Sequence, residues 1–103
     1  MVRYFAYLFF VINLQIIHAG TTGKISGTVT SKQNGEPLIG ANVMVEGTPL
    51  GAATDLEGNY FILQVPPGNY QVKFNMIGYQ SLIVDDVRVR VDLTTNVNAN
   101  LNE

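Results

Sequence analysis

Side chains able to do acid–base chemistry are few in this chain. Asp55, Glu57, Asp85, Asp86 and Asp92 are the carboxylates that could form the pair glycoside hydrolysis needs. Each falls in an expected turn or on the polar face of an expected strand, where water solvates it. A carboxyl that donates a proton near neutral pH needs an apolar pocket to raise its pKa, and the pattern places none of the five in one. The single histidine, His18, lies in an apolar leader, and cysteine is absent. Pairs of nucleophile and base built on histidine or cysteine therefore have no members after position 19. The expectation is a protein that is not an enzyme, with no catalytic residues, no cofactor and no metal ligands.

Three weaker constellations have plainer structural explanations. Asp55, Glu57 and Asn59, with Gly58 between them, resemble the start of a calcium loop. A full loop needs a bidentate glutamate further on, where Leu63 and Val65 stand, so a hairpin turn is expected instead. Lys24 with Asn96, Asn98 or Asn100 has the residue types of a Lys–Asn crosslink, but all four fall on polar faces, away from the buried setting that chemistry requires. Tyr60 and Tyr79 are the candidate ligand contacts, since an exposed tyrosine ring can stack on a sugar; the alternative is a ring packed on the sheet with its hydroxyl wet. The asparagines from Asn96 to Asn102 form a polar edge that invites pairing with another chain.

These residues must be positioned by a small domain. Residues 1–19 hold 15 of the 48 apolar residues of this 103-residue chain and five of its ten aromatics. Met1, Val2 and Arg3 form a basic start, and Tyr4 to Ile17 are apolar apart from Asn13 and Gln15. A bilayer span takes about 20 apolar residues, and this run is shorter and interrupted. The expectation is a helical signal peptide over 1–19, cut near Ala19 or Gly20, and an exported domain over 20–103 that does not span the membrane. After position 19 there are five basic and eight acidic residues, a net charge of -3. That balance offers no electrostatic footprint for nucleic acid.

From residue 23 onward the apolar period is two. Ile25, Gly27 and Val29 alternate with polar residues, as do Ala41, Val43 and Val45. Tyr70, Val72, Phe74 and Met76 share a face; so do Val87, Val89, Val91 and Leu93, and so do Val97, Ala99 and Leu101. Each pattern predicts a half-buried antiparallel strand. Tyr60 to Val65 is apolar on both faces apart from Gln64 and is expected to be the most central strand, and Gln80 to Val84 is a further one. Turn formers separate them: Asn34 and Gly35, with Pro37 expected to break the pairing just beyond, then Gly40, Gly47, Asp55 with Gly58, the Pro66–Pro67–Gly68 run, and Gly78. The predicted fold is all-β, an antiparallel sandwich of about seven strands.

The turns and strands together resemble one family. Gly27–Thr28–Val29, the run Gly35 to Val43, Gly47–Thr48, Gly51, Thr54–Asp55, Gly58–Asn59–Tyr60, Val65 to Gly68, Tyr70 and Ile77–Gly78–Tyr79 are similar to the carboxypeptidase-like regulatory domain. The likeness spans residues 24–101. It implies a prealbumin or transthyretin-like β-sandwich within the carbohydrate-binding-like group. The family includes the domain at the N-terminus of TonB-dependent outer-membrane receptors of Bacteroidota and related bacteria. By that resemblance the chain is an exported, non-catalytic accessory module in the periplasm at the outer membrane. Its partner is another protein or the receptor plug and barrel that follow covalently, and the alternative is a carbohydrate-binding module. The zinc-binding residues of a carboxypeptidase are not in the sequence, so the family name implies no peptidase.

Overall fold

The computed structural model describes residues 20–103, and the expected leader helix over 1–19 lies outside them. Eight strands follow in order: β1 (Gly23–Ser31), β2 (Asn42–Val45), β3 (Gly51–Ala53), β4 (Asn59–Val65), β5 (Gly68–Asn75), β6 (Leu82–Val89), β7 (Thr94–Asn96) and β8 (Ala99–Leu101). They form two sheets. One has the order β4-β1-β7, with β8 continuing along β1, and the other has the order β3-β2-β5-β6. The apolar sides of the two sheets face each other, as alternating strands require. Ile25, Val29, Tyr60, Ile62, Ala99 and Leu101 of the first sheet meet Val43, Val45, Val72, Phe74, Val87 and Val89 of the second. At the centre the Tyr60 and Phe74 rings meet edge to face, with centroids 5.8 Å apart.

The architecture matches the expected sandwich, with four differences in detail. First, β4 is an edge strand and β1 is central. Tyr60 and Ile62 point inward while Phe61 and Leu63 point out to water. Second, the expected strands Gln80–Val84 and Val87–Leu93 are largely one strand, β6. A bulge at Asp85 and Asp86 sets two residue steps on β5 (Tyr70 to Val72) against three on β6 (Val84 to Val87), with Asp86 at φ 56°. The inward set thus changes from Leu82 and Val84 to Val87 and Val89, and Val91 and Leu93 lie exposed in the turn beyond. Third, β7 and β8 run parallel to β1, not antiparallel. Lastly, β3 is a short edge strand that the Gly51–Ala52–Ala53 pattern was too brief to reveal.

Turn residues hold the strands in this order. Asn34 Oδ1 accepts the Glu36 amide at 3.0 Å, and Gly35 at φ 74° donates to the Ser31 carbonyl. Pro37 does not end the pairing as expected: it bridges Thr30, and the Leu38 amide donates to Val29 O at 3.0 Å. Pro can lie here because its neighbours carry the bonds, Leu38 as donor and Glu36 through its carbonyl, which accepts the Ser31 amide at 2.8 Å. Gly40, Gly47 and Gly78 also take positive φ. The Pro66–Pro67 reversal is tied down by the Tyr70 hydroxyl, which donates to Pro66 O at 2.7 Å, and Gly68 opens β5 directly beneath the Tyr70 ring.

Candidate functional site

The five carboxylates do not assemble. Asp55 and Glu57 lie in the β3–β4 turn, Asp85 and Asp86 in the β6 bulge, and Asp92 in the β6–β7 turn, all exposed. Asp55 is committed to its own backbone, its Oδ1 accepting the amides of Glu57 and Asn59, both at 2.9 Å. Asp85 accepts from Gln71 Nε2 at 2.7 Å and Asp86 from Asn69 Nδ2 at 3.4 Å. Among the described residues no group of three His, Asp or Glu side chains is placed to hold a metal ion.

The two tyrosines part company. Tyr60 is not an exposed sugar platform: it is 1% exposed, with its ring in the core. Its hydroxyl donates to Val97 O at 2.6 Å, and burial pushes that hydroxyl's pKa far above the usual tyrosine value. Tyr79 is half-buried, packed against the core beside the Ile77–Gly78 turn, where its amide donates to Met76 O at 3.0 Å.

Where Tyr60 meets Val97, the first sheet is joined. Tyr60 sits opposite Gly27 on β1. A Cβ on Gly27 would lie 1.9 Å from Val97 O, so only glycine lets the link between β7 and β8 come this close. The Val97 amide donates to Ser26 O at 2.8 Å, and the Thr28 amide, which would otherwise lack a partner at the break, donates to Asn98 Oδ1 at 2.9 Å. The asparagines continue this role. Asn100 Oδ1 accepts from the Thr30 hydroxyl, and Asn102 Oδ1 from Gln33 Nε2 at 3.0 Å. They stitch the last strands to β1 and its following turn. Lys24 is exposed, and its nearest partner across the sheet is Thr94.

What remains is a surface that sequence reasoning did not find. Phe61 and Leu63 are 64% and 57% exposed, side by side on the outward face of the β4 edge. Opposite Phe61 on the neighbouring strand is Ser26, and opposite Ser26 is Asn96. The result is an apolar margin bordering a face of hydroxyls and amides. An apolar run on both faces reads as a buried strand, and only the sheet order distinguishes it from an edge.

The architecture recurs in known proteins. The minor pilin GBS52 of Streptococcus agalactiae superposes with a TM-score of 0.60 at 18% identity, over 82% of this chain and 45% of the pilin. That likeness concerns fold alone. Sequence relatives are nearer: the TonB-dependent receptor P3 of Formosa agariphila is 38% identical over 73 residues, 71% of this chain, and the TonB-dependent receptor SusC of Bacteroides thetaiotaomicron is 46% identical over 52 residues, 50% of it. This chain spans only 7% and 5% of the lengths of those two receptors. The family model of the CarboxypepD_reg-like domain matches residues 25–103, from the first core residue of β1 to the end, and the chain belongs to that family.

Proposed function

We propose that this domain is an exported, non-catalytic module at the N-terminal end of a TonB-dependent outer-membrane receptor, held on the periplasmic side. The observation that carries the reading is its sequence similarity to TonB-dependent receptors from two organisms. The basic start and apolar run of residues 1–17 support export. Five exposed carboxylates on three separate turns or bulges, each open to water, support a binding or scaffolding role over catalysis.

Reading the coding sequence past codon 103 tests this directly, together with fractionation of the cell envelope. An in-frame plug and barrel, with this domain recovered in the outer-membrane fraction, is the expected result. A stop codon with no receptor reading frame nearby, and a domain found in the cytoplasm, would overturn it.

A further inference from the structure

The β4 edge carries bare backbone as well as bare side chains. In an antiparallel pair the hydrogen-bonding groups of successive residues turn alternately toward and away from the partner. Val29 N donates to Gly58 O at 2.8 Å, and the register continues through Gly27 with Tyr60 and Ile25 with Ile62. The backbone groups of Tyr60 and Ile62 therefore face β1, and those of Asn59, Phe61 and Leu63 face away. Asn59 is satisfied locally: its amide donates to Asp55 Oδ1, and its carbonyl accepts the Asp55 amide, both at 2.9 Å. Phe61 and Leu63 have no such partners among the described residues. Among the described residues, two amides and two carbonyls thus lie open on a strand whose outward side chains are apolar.

The other edges are protected. β3 is three residues long. The β6 edge is bent by the Asp85–Asp86 bulge and carries three charged side chains, Asp85, Asp86 and Arg88. The β7–β8 edge, which the asparagine run suggested as a pairing surface, is instead broken at Val97 and Asn98, and Asn98, Asn100 and Asn102 are engaged by β1 and its following turn. Charges, bulges and short strands are the devices that keep an edge from pairing, and the Asn59–Val65 strand has no charge and no bulge until Gln64, at φ 57°.

We propose that β4 is a self-pairing edge, occupied by the β4 of a second copy of this chain, running antiparallel about a twofold axis at Ile62. The pattern is self-complementary. With the axis at Ile62, Phe61 lies opposite Leu63 of the partner subunit, and each such pair exchanges both of its backbone hydrogen bonds. The same superposition sets Phe61 and Leu63 side chains against each other across the join, covering the two large apolar groups of this strand that water now touches. An uncharged strand meets itself without repulsion, which is what an isologous contact requires.

A cysteine exchange tests both the contact and its register. The chain has no cysteine of its own. Full-length chains bearing Phe61→Cys and Leu63→Cys are prepared separately, in the mild detergent that residues 4–17 call for, then mixed and oxidised. Facing residues of a hydrogen-bonded antiparallel pair have Cα atoms about 5.5 Å apart, within disulfide reach, whereas like positions are offset by two further residues and are out of reach. The expected result is a disulfide dimer from the mixture and its loss from either variant alone. In parallel, the unsubstituted chain sediments as a dimer and Leu63→Lys shifts it to monomer. Cross-linking no greater than that of a Thr94→Cys and Asn96→Cys mixture on the β7 edge would overturn the proposal. So would equal cross-linking by either variant alone, or an unsubstituted chain that stays monomeric because the edge takes a strand from some other protein.

Discussion

The Tyr60 hydroxyl donates to the Val97 carbonyl at 2.6 Å inside the core, tying the inner face of β4 to the break between β7 and β8. The carbonyl is available because the link between β7 and β8 passes directly over Gly27. One hydrogen bond therefore spans the whole first sheet, from one edge to the other, across a residue with no side chain. Replacing Tyr60 with Phe keeps the ring against Phe74 but leaves Val97 O buried without its donor. The expected loss is about 1–3 kcal/mol of stability, read as a lower urea midpoint with an unchanged slope.

The same hydroxyl sets an alkaline limit. Burial raises its pKa in the folded state above the ordinary tyrosine value of 10.0, so the unfolded chain loses this proton first as pH rises. Below pH 10 the unfolded tyrosine is also protonated, and the full contribution is present. Above about pH 10 stability falls with each further rise, because ionisation then favours the unfolded state. A phenolate absorbance titration should show Tyr60 ionising only as the domain unfolds, and Tyr60→Phe should remove this part of the pH slope. Ionisation of Tyr60 in the ordinary range with the fold intact would contradict the buried geometry.

Gly27 and Gly40 separate two reasons for glycine. A Cβ on Gly27 meets Val97 O at 1.9 Å, backbone that cannot yield without parting β7 and β8 from β1. Gly40 has open space around it and is constrained only by its φ of 77°. Gly27→Ala should cost more than about 3 kcal/mol and leave little folded protein, while Gly40→Ala should cost about 1–2 kcal/mol. Circular dichroism melts of the two variants check the ranking.

How far the fold was legible in the sequence follows from where the period of two holds its phase. In β2 and β5 it never slips, and Val43, Val45, Val72 and Phe74 are the buried residues that alternation indicates. In β6 the bulge at Asp86 moves the inward set from even to odd positions, so one strand reads as two. In β4 the positive φ of Gln64 brings Val65 inward after Ile62, and the run looks apolar on both faces. Bulges are conformations of one or two residues and leave no composition signal. The place of β4 at an edge is settled by pairing with β1 alone, a long-range fact absent from any local pattern. Tyr60 was visible as a residue of interest, but its role depended on Val97, 37 positions away.

Thr54 is one of two buried polar residues of the described chain, and it joins the β1–β2 loop to the end of β3. Its hydroxyl accepts the Ala41 amide at 2.9 Å and donates to Leu38 O. Thr54→Val keeps the shape and strands both backbone partners, so a loss of about 2–4 kcal/mol is expected. Thr54→Ser keeps the hydroxyl and should recover most of it. Equal melting of the Val and Ser variants would mean that water replaces the hydroxyl.

Asp55 provides a test in which charge and geometry separate. Its Oδ1 accepts two amides, Glu57 and Asn59, both at 2.9 Å, while Gly58 N donates back to Asp55 O at 3.0 Å. The turn needs an acceptor at that point, and an amide oxygen serves as well as a carboxylate. Asp55→Asn should therefore change stability by only a few tenths of a kcal/mol, whereas Asp55→Ala should lose about 1–2 kcal/mol, in line with other local side-chain caps. The consequence reaches the free edge, because the same turn occupies the Asn59 backbone and so defines where the open stretch of β4 begins. In Asp55→Ala, hydrogen exchange should quicken at Glu57 and Asn59 and remain unchanged at Ile62, whose amide is held by β1. Faster exchange at Ile62 as well would show that the turn and the β1–β4 ladder open as one unit.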